Sequence, residues 1–266
     1  MAKGCDYSSA RPDPACLRGH GIQFVVRYTS IGSAGKNMSA AEVRRLLDAG
    51  IALVTVFEEA AGHMLGGRAA GVEAATASRR LAGDCGMPEG RPHYFALDID
   101  PNPLHDSQWD HIRAYLDGAG SVLGRDAVGV YGGFLAIEKL VPHSAPWGWQ
   151  TRAWSKGKWS AKAHLQQHEI EVGLCGGQVD LDRTHPDRNI DDYGQWGLED
   201  DMPLNDADKK WLQQEIRDAI NHHANNLFRL ADHGGATATP SPANHPNSHK
   251  AILDRLDDIE KRLPSA

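Results

Sequence analysis

The chain has 266 residues and a mass of 28.9 kDa, with 41% hydrophobic and 24% charged side chains. That is an ordinary globular composition, long enough to bury a core without staples. Its 35 acidic residues outnumber 28 Lys and Arg, for a formal net charge of -7, which argues against nucleic acid or an anionic membrane as the partner, since both select a basic surface. The opening MAKGCDYSSARPDP lacks an apolar stretch, so the expectation is production in the cytoplasm without a signal peptide. The longest strongly apolar run, Ile51 to Phe57, is far too short to span a membrane.

Short apolar runs alternate with amphipathic stretches over residues 1–198. Strands are predicted at Gly4–Tyr7, Ile22–Tyr28, Ile51–Phe57, His93–Ile99, Ala127–Tyr131, Gly148–Trp154, Ala163–Gln167 and Gln178–Leu181. IALVTVF and AVGVY are almost continuously apolar, the pattern of a parallel strand covered on both faces. Ser39 with Glu42 three residues later predicts a capping box; Val43, Leu46 and Leu47 supply its buried stripe and Gly50 its stop. Arg68–Leu81, Ser107–Leu123 and the shorter Phe134–Leu140 also read as helices. Helices are weak or missing after the first and sixth strands, where Pro12, Pro14 and GKWSAK leave little room. The sum is an α/β fold, an irregular (β/α)8 TIM-like barrel followed by C-terminal helical segments. An open doubly wound sheet is the alternative, disfavoured because no GxGxxG follows the first strand.

Composition changes after Trp196. Residues 199–235 read as an acidic hinge and a helix with Leu212, Ile216, Ile220, Leu227 and Leu230 on one side. Residues 236–248 (ATATPSPANHPNS) read as a flexible linker. In 249–266, Ile252, Leu256, Ile259 and Leu263 form a coiled-coil-like seam, too short to stand alone and therefore a candidate for homo-oligomer contacts.

Cys5, Cys16, Cys85 and Cys175 are scattered and include no CxxC, so buried free thiols are the expectation, with a Cys5–Cys16 bridge as the alternative. No HExxH occurs among the 14 His; His164 and His168 are four apart but sit in a strand-like run, and the tail His lie on exposed segments, so no metal and no cofactor are expected. GxSxG and a phosphate-cradling loop are also missing from the sequence.

The sharpest chemical feature is YFALDID, Tyr94 to Asp100. Residues two apart on a strand share a face, so Asp98 and Asp100 are expected to point together from the carboxyl end of a buried run, where barrels carry their active sites. Adjacent carboxyls can split their protonation, the kit for glycoside cleavage. Asp6, Glu58 and the Asp180/Asp182 pair of QVDLDR sit at other strand ends, and Arg27 and Tyr28 end the second strand. Trp147, Trp149, Trp154 and Trp159 crowd together, with Tyr131 upstream and Gln150, Gln166 and Gln167 nearby; flat aromatic faces beside amides and carboxylates suit sugar rings.

The ordered set DYS with RP at Asp6–Pro12, FVVRY, Lys36, AGIALVTVFE, YFALDID, GVYGG, the Trp-Ser of 154–155 and QVDLDR resembles the glycoside-hydrolase-like family known as domain of unknown function 1906. That family is similar to family 25 glycoside hydrolases, lysozymes with an irregular barrel. The resemblance covers about residues 3–197. It implies an enzyme acting on bacterial cell-wall glycan, with Asp6, Asp98, Asp100 and Asp182 catalytic; the strand ends and the aromatic cluster add Arg27, Tyr28, Glu58, Tyr131, Gln150, Trp154, Gln167 and Asp180 as expected substrate contacts. Asp100 stands where family 25 lysozymes carry the proton-donating Glu, one methylene shorter, and Glu58 is the alternative acid. The segment PLNDADKKWLQQEI resembles helical linkers of phage lysins and tail-associated proteins, implying action at the wall after release, or on a virion.

Overall fold

The computed structural model describes residues 1–187 and 190–197; the expected hinge, linker and terminal helix of 199–266 lie outside the described residues. Eight strands close into a barrel in chain order: β1 (Lys3–Asp6), β2 (Phe24–Thr29), β3 (Ala52–Phe57), β4 (His93–Ala96), β5 (Val128–Gly132), β6 (Trp147–Thr151), β7 (Leu165–Leu174) and β8 (Gly177–Thr184). Helices α1 (Pro14–Gly19), α2 (Ala40–Asp48), α3 (Gly67–Gly83), α4 (Asp106–Leu123) and α5 (Phe134–Leu140) lie between strands. The TIM-like reading holds, with one irregularity. β8 runs antiparallel to both β7 and β1. Cys175 and Gly176 join β7 to β8 with φ of 51° and 81°, the paired positive values of a two-residue hairpin turn, so a crossover helix has no room there.

Period-two alternation sorts each strand. Phe24, Val26 and Tyr28 point into the barrel with Val54, Val56, Tyr94, Tyr131, Trp149 and Leu165. Val25 and Leu53 point outward onto Leu17, Val43 and Leu46. Phe95 and Val130 meet Trp109, Ile112 and Leu116 of α4 in a second outer layer. Both faces of the parallel strands are therefore buried, as their unbroken apolar runs require.

Ser39 Oγ accepts from Glu42 N at 3.3 Å, and Gly50, at φ 71°, follows the helix end. The other half of the capping box does not form, because the Glu42 carboxylate is taken by Arg27. A helix does follow β1, against expectation: Pro14 opens it, where the missing N–H costs nothing, and Asp13 Oδ1 accepts from Cys16 N at 2.8 Å. Gly71 lets α3 approach α4, since a Cβ there would lie 1.9 Å from Tyr115 O.

The cysteine expectation is corrected in part. Cys16 of α1 and Cys175 of the β7–β8 turn form a disulfide with Cα atoms 5.7 Å apart, across 159 positions of sequence. Cys5 is a buried free thiol and Cys85 a half-buried one, so the Cys5–Cys16 alternative falls. Among the described residues no helix is long and apolar enough to cross a membrane.

Candidate active site

Two groups of carboxyls meet at the mouth formed by the carboxyl ends of the parallel strands. The inner group is built on β1 and β8, where antiparallel pairing sets Asp6 opposite Asp180 and Gly4 opposite Asp182. Asp6 and Asp182 are 2% and 1% exposed. Tyr28 OH donates to Asp6 Oδ1 at 2.7 Å, and Gln167 Nε2 donates to Asp6 Oδ2 at 2.7 Å and to Asp180 Oδ2 at 3.2 Å. Gln167 is fixed in turn by Tyr131 OH, which donates to its Oε1 at 2.9 Å. Trp149 Nε1 donates to Asp182 Oδ1 at 2.9 Å.

Burial, helped by the Asp180 charge, pushes Asp6 up to about 7. Burial and then the Asp6 charge push Asp182 well above the carboxylate range. Asp182 Oδ2 is buried without a donor among the described residues. A proton held between Asp6 and Asp182 would give that oxygen a partner and remove the repulsion of two buried charges.

The outer group lies on the loops after β2, β3 and β4. Lys36 Nζ donates to Glu58 Oε1 and sits 6.0 Å from the Tyr28 ring centre. Burial raises the Glu58 pKa; the Lys36 hydrogen bond and charge oppose it, the Asp98 charge reinforces it, and the upward pushes win. Asp98 is half-buried and raised by burial against the Lys36 charge. The charges of Asp6, Asp98 and Glu58 all act on the buried Tyr131 hydroxyl, which burial already holds well above its usual range. That phenol links the two groups.

Three expected site residues do not join them. Arg27 faces outward from β2 and is 0% exposed. Its guanidinium pairs with Glu42 at 2.8 Å, lies 4.4 Å from the Tyr7 ring centre, and donates to Tyr7 O and Lys36 O. It braces the loops behind the mouth. Gln150 faces outward from β6, fully buried, and ties down the following loop through Ser155 Oγ, Lys158 O and Ser160 N. Asp100 is exposed on the rim, and two hydrogen bonds from Asn102 hold its pKa below the usual value. An acid that is ionised and solvated cannot hold a proton for a leaving group.

Trp154 stands beside it, half-exposed, with φ 56° and its carbonyl accepting from Asn102 Nδ2 at 3.3 Å. Such backbone strain in a bulky residue concentrates at functional sites. Sequence reasoning did not assign Lys36 or Trp149 to the site; both act on carboxyls there. A cleft of about 230 Å³ opens beside the inner group, lined by Asp6, Tyr7, Ser8, Tyr28, Gln178 and Asp180. A larger groove of about 440 Å³, by Ile31, Asn37, Glu73 and Arg80, contains none of the buried carboxyls.

Residues 15–190 match the model of the Rv2525c-like, glycoside hydrolase-like domain. The chain belongs to this family. Rv2525c of Mycobacterium tuberculosis, named as a candidate peptidoglycan hydrolase, is 30% identical over 203 residues, 72% of this chain and 82% of that protein. A crystal structure of that Tat-secreted protein with L-tartrate is 28% identical, covers 73% of this chain and 98% of its own, and superposes with a TM-score of 0.66. A family 25 glycosyl hydrolase from Bacillus anthracis, 14% identical over 71% of this chain and 90% of its own, has a TM-score of 0.50 and shares the fold. The relative Rv2525c is a Tat-secreted protein, which overturns the expectation of cytoplasmic production without a signal peptide. The phage setting was read from residues 203–216, outside the described ones.

Proposed function

We propose that this Rv2525c-like domain hydrolyses a glycosidic bond in bacterial cell-wall glycan of the peptidoglycan kind. The observation that carries the reading is the meeting of Asp6, Glu58 and Asp98 around Tyr131, with Asp182 beside Asp6, each pKa raised from its ordinary value first of all by burial. Pairs of carboxyls whose environments separate their protonation are the machinery of glycoside cleavage. The relative's name supports the substrate class, and the Cys16–Cys175 bridge fits an oxidising compartment.

Glu58 is the proton donor, longer in reach than Asp, with its pKa raised by burial and by the Asp98 charge against the pull of Lys36. Asp98, ionised, stabilises the oxocarbenium-like charge that grows as the bond breaks, or orients an acetamido group for internal attack. The Asp6–Asp182 pair, with Gln167 and Tyr28, holds the floor of the site and its sugar contacts. Trp154 offers an aromatic face at the rim. Mass spectrometry of fragments released from actinobacterial cell walls decides: new reducing-end saccharides are expected, and peptide fragments alone would overturn the reading. The second reading, glycan binding without turnover, is favoured by the exposed Asp100 at the family 25 donor position and predicts pelleting with walls but no fragments.

Lys36 tunes both outer carboxyls. Its charge lowers Glu58 and Asp98 alike, so Lys36→Met lets both pKa values rise. The acidic limb of the pH–rate profile belongs to Asp98 ionising and the alkaline limb to Glu58 losing its proton. Both limbs are expected to move to higher pH, measured as kcat/KM across the range. A profile lowered in height but unmoved would reduce Lys36 to a substrate contact.

A further inference from the structure

Away from the mouth, Cys16 of α1 and His20, which caps the helix's carboxyl end, stand four residues apart, and the β7–β8 turn brings Cys175 against them. One sulfur or ring-nitrogen atom from each lies within 4.8 Å of the other two. We propose that, with the two thiols reduced, Cys16, Cys175 and His20 form a binding site for a thiophilic cation of the zinc class, in place of the disulfide.

Three observations favour it. The donor set is two thiolates and an imidazole, the ligands zinc prefers, with the fourth tetrahedral position left for water. The ligands come from two rigid elements: α1 is fixed by the Asp13 cap, and the turn by the bond from Asp13 N to Cys175 O at 3.2 Å. In a tetrahedral site with bonds of about 2.0–2.3 Å, ligand atoms sit roughly 3.5–3.8 Å apart, so small side-chain rotations suffice. His20 is exposed, which leaves its ring accessible to a cation.

The two states exclude one another. Forming the bridge joins the sulfurs, releases two protons and passes two electrons to a disulfide oxidant such as glutathione disulfide, which leaves as two thiols. Cation binding releases the thiol protons to solvent and keeps both sulfurs as thiolates. Occupancy of this site therefore delays cross-linking of α1 to the hairpin that carries Asp180 and Asp182.

The test uses the full chain, reduced with a phosphine and titrated with Co²⁺ without oxygen. One Co²⁺ per chain is expected, with a thiolate-to-cobalt charge-transfer band that one equivalent of Zn²⁺ removes. His20→Ala should weaken binding by at least about tenfold, the low end for disturbing a metal site. Zinc-loaded chain should form the bridge with glutathione disulfide at least roughly tenfold more slowly than the metal-free reduced chain. Spectra matching those of the Cys16→Ser/Cys175→Ser chain, which retains Cys5 and Cys85, would overturn the proposal. So would a His20→Ala titration like that of the wild type, or loss of near-ultraviolet circular dichroism on reduction alone.

Discussion

Glu58→Gln is expected to cut release of saccharides from cell walls by about 10²- to 10⁴-fold, the usual worth of a positioned general acid. Glutamine keeps the shape and can still meet Lys36 Nζ, but has no proton to give a leaving oxygen. Asp98→Asn should lose a similar factor, because the charge facing the sugar disappears. Asp100→Asn should stay within a few-fold of wild type. Its carboxyl is solvated, held ionised by Asn102, and the amide can keep one of those contacts. The measurement is the rate of new reducing ends, with near-ultraviolet circular dichroism as the control for folding. A full loss in Asp100→Asn with an active Glu58→Gln would return the donor role to the rim.

The contrast between these residues shows which parts of the site were legible in sequence. The barrel was, because continuous apolar runs such as IALVTVF have a single stable setting, between a packed interior and a helical coat. Asp6 and Glu58 at the ends of β1 and β3 followed from that register, whereas Asp180 and Asp182 lie within β8 and reach the site through its antiparallel course. YFALDID misled because the alternation argument assumed that the strand continued to Asp100. β4 ends at Ala96, and Leu97 N makes the next bond to Tyr131 O. Beyond it the DPNP sequence turns, with Asp100 accepting from Asn102 N at 2.9 Å as an Asx turn does.

Arg27 and Gln150 failed a parity test that was already available. If Tyr28 and Trp149 face the interior, their neighbours in sequence face out. The Cys16–Cys175 contact has no local signal at all, since only barrel closure by the antiparallel β8 brings α1 beside that turn. Lys36 gave no hint of its pairing because its loop is placed from behind, by the buried Arg27.

The inner pair makes the largest expected mark on stability. Folded, Asp6 titrates at about 7 and Asp182 well above the usual carboxylate range; unfolded, both return to about 3.9. Below about pH 4 both states hold both protons and the native state keeps its full advantage. As pH rises toward 7, the unfolded chain releases protons that the folded chain retains, so stability falls, and it continues to fall until the folded groups also ionise. Each retained proton costs about 1.4 kcal/mol per pH unit, so the wild type should lose stability with a slope approaching two protons between about pH 5 and 6.

Asp182→Asn deletes one of the two groups and gives Asp6 an amide donor in place of a competing acid. The inner pair's share of the slope should fall from about two protons to at most one, so the variant gains on the wild type steadily with pH, by several kcal/mol near neutrality. Urea unfolding midpoints at half-unit steps from pH 4 to 8 measure both slopes. Identical slopes would mean that the two carboxyls do not hold protons in the fold, and the orphaned Asp182 Oδ2 would then need another partner. A slope that halves, together with loss of wall cleavage, would tie the proton stored beneath the mouth to the chemistry above it, through the Gln167–Tyr131 contact that joins the two groups.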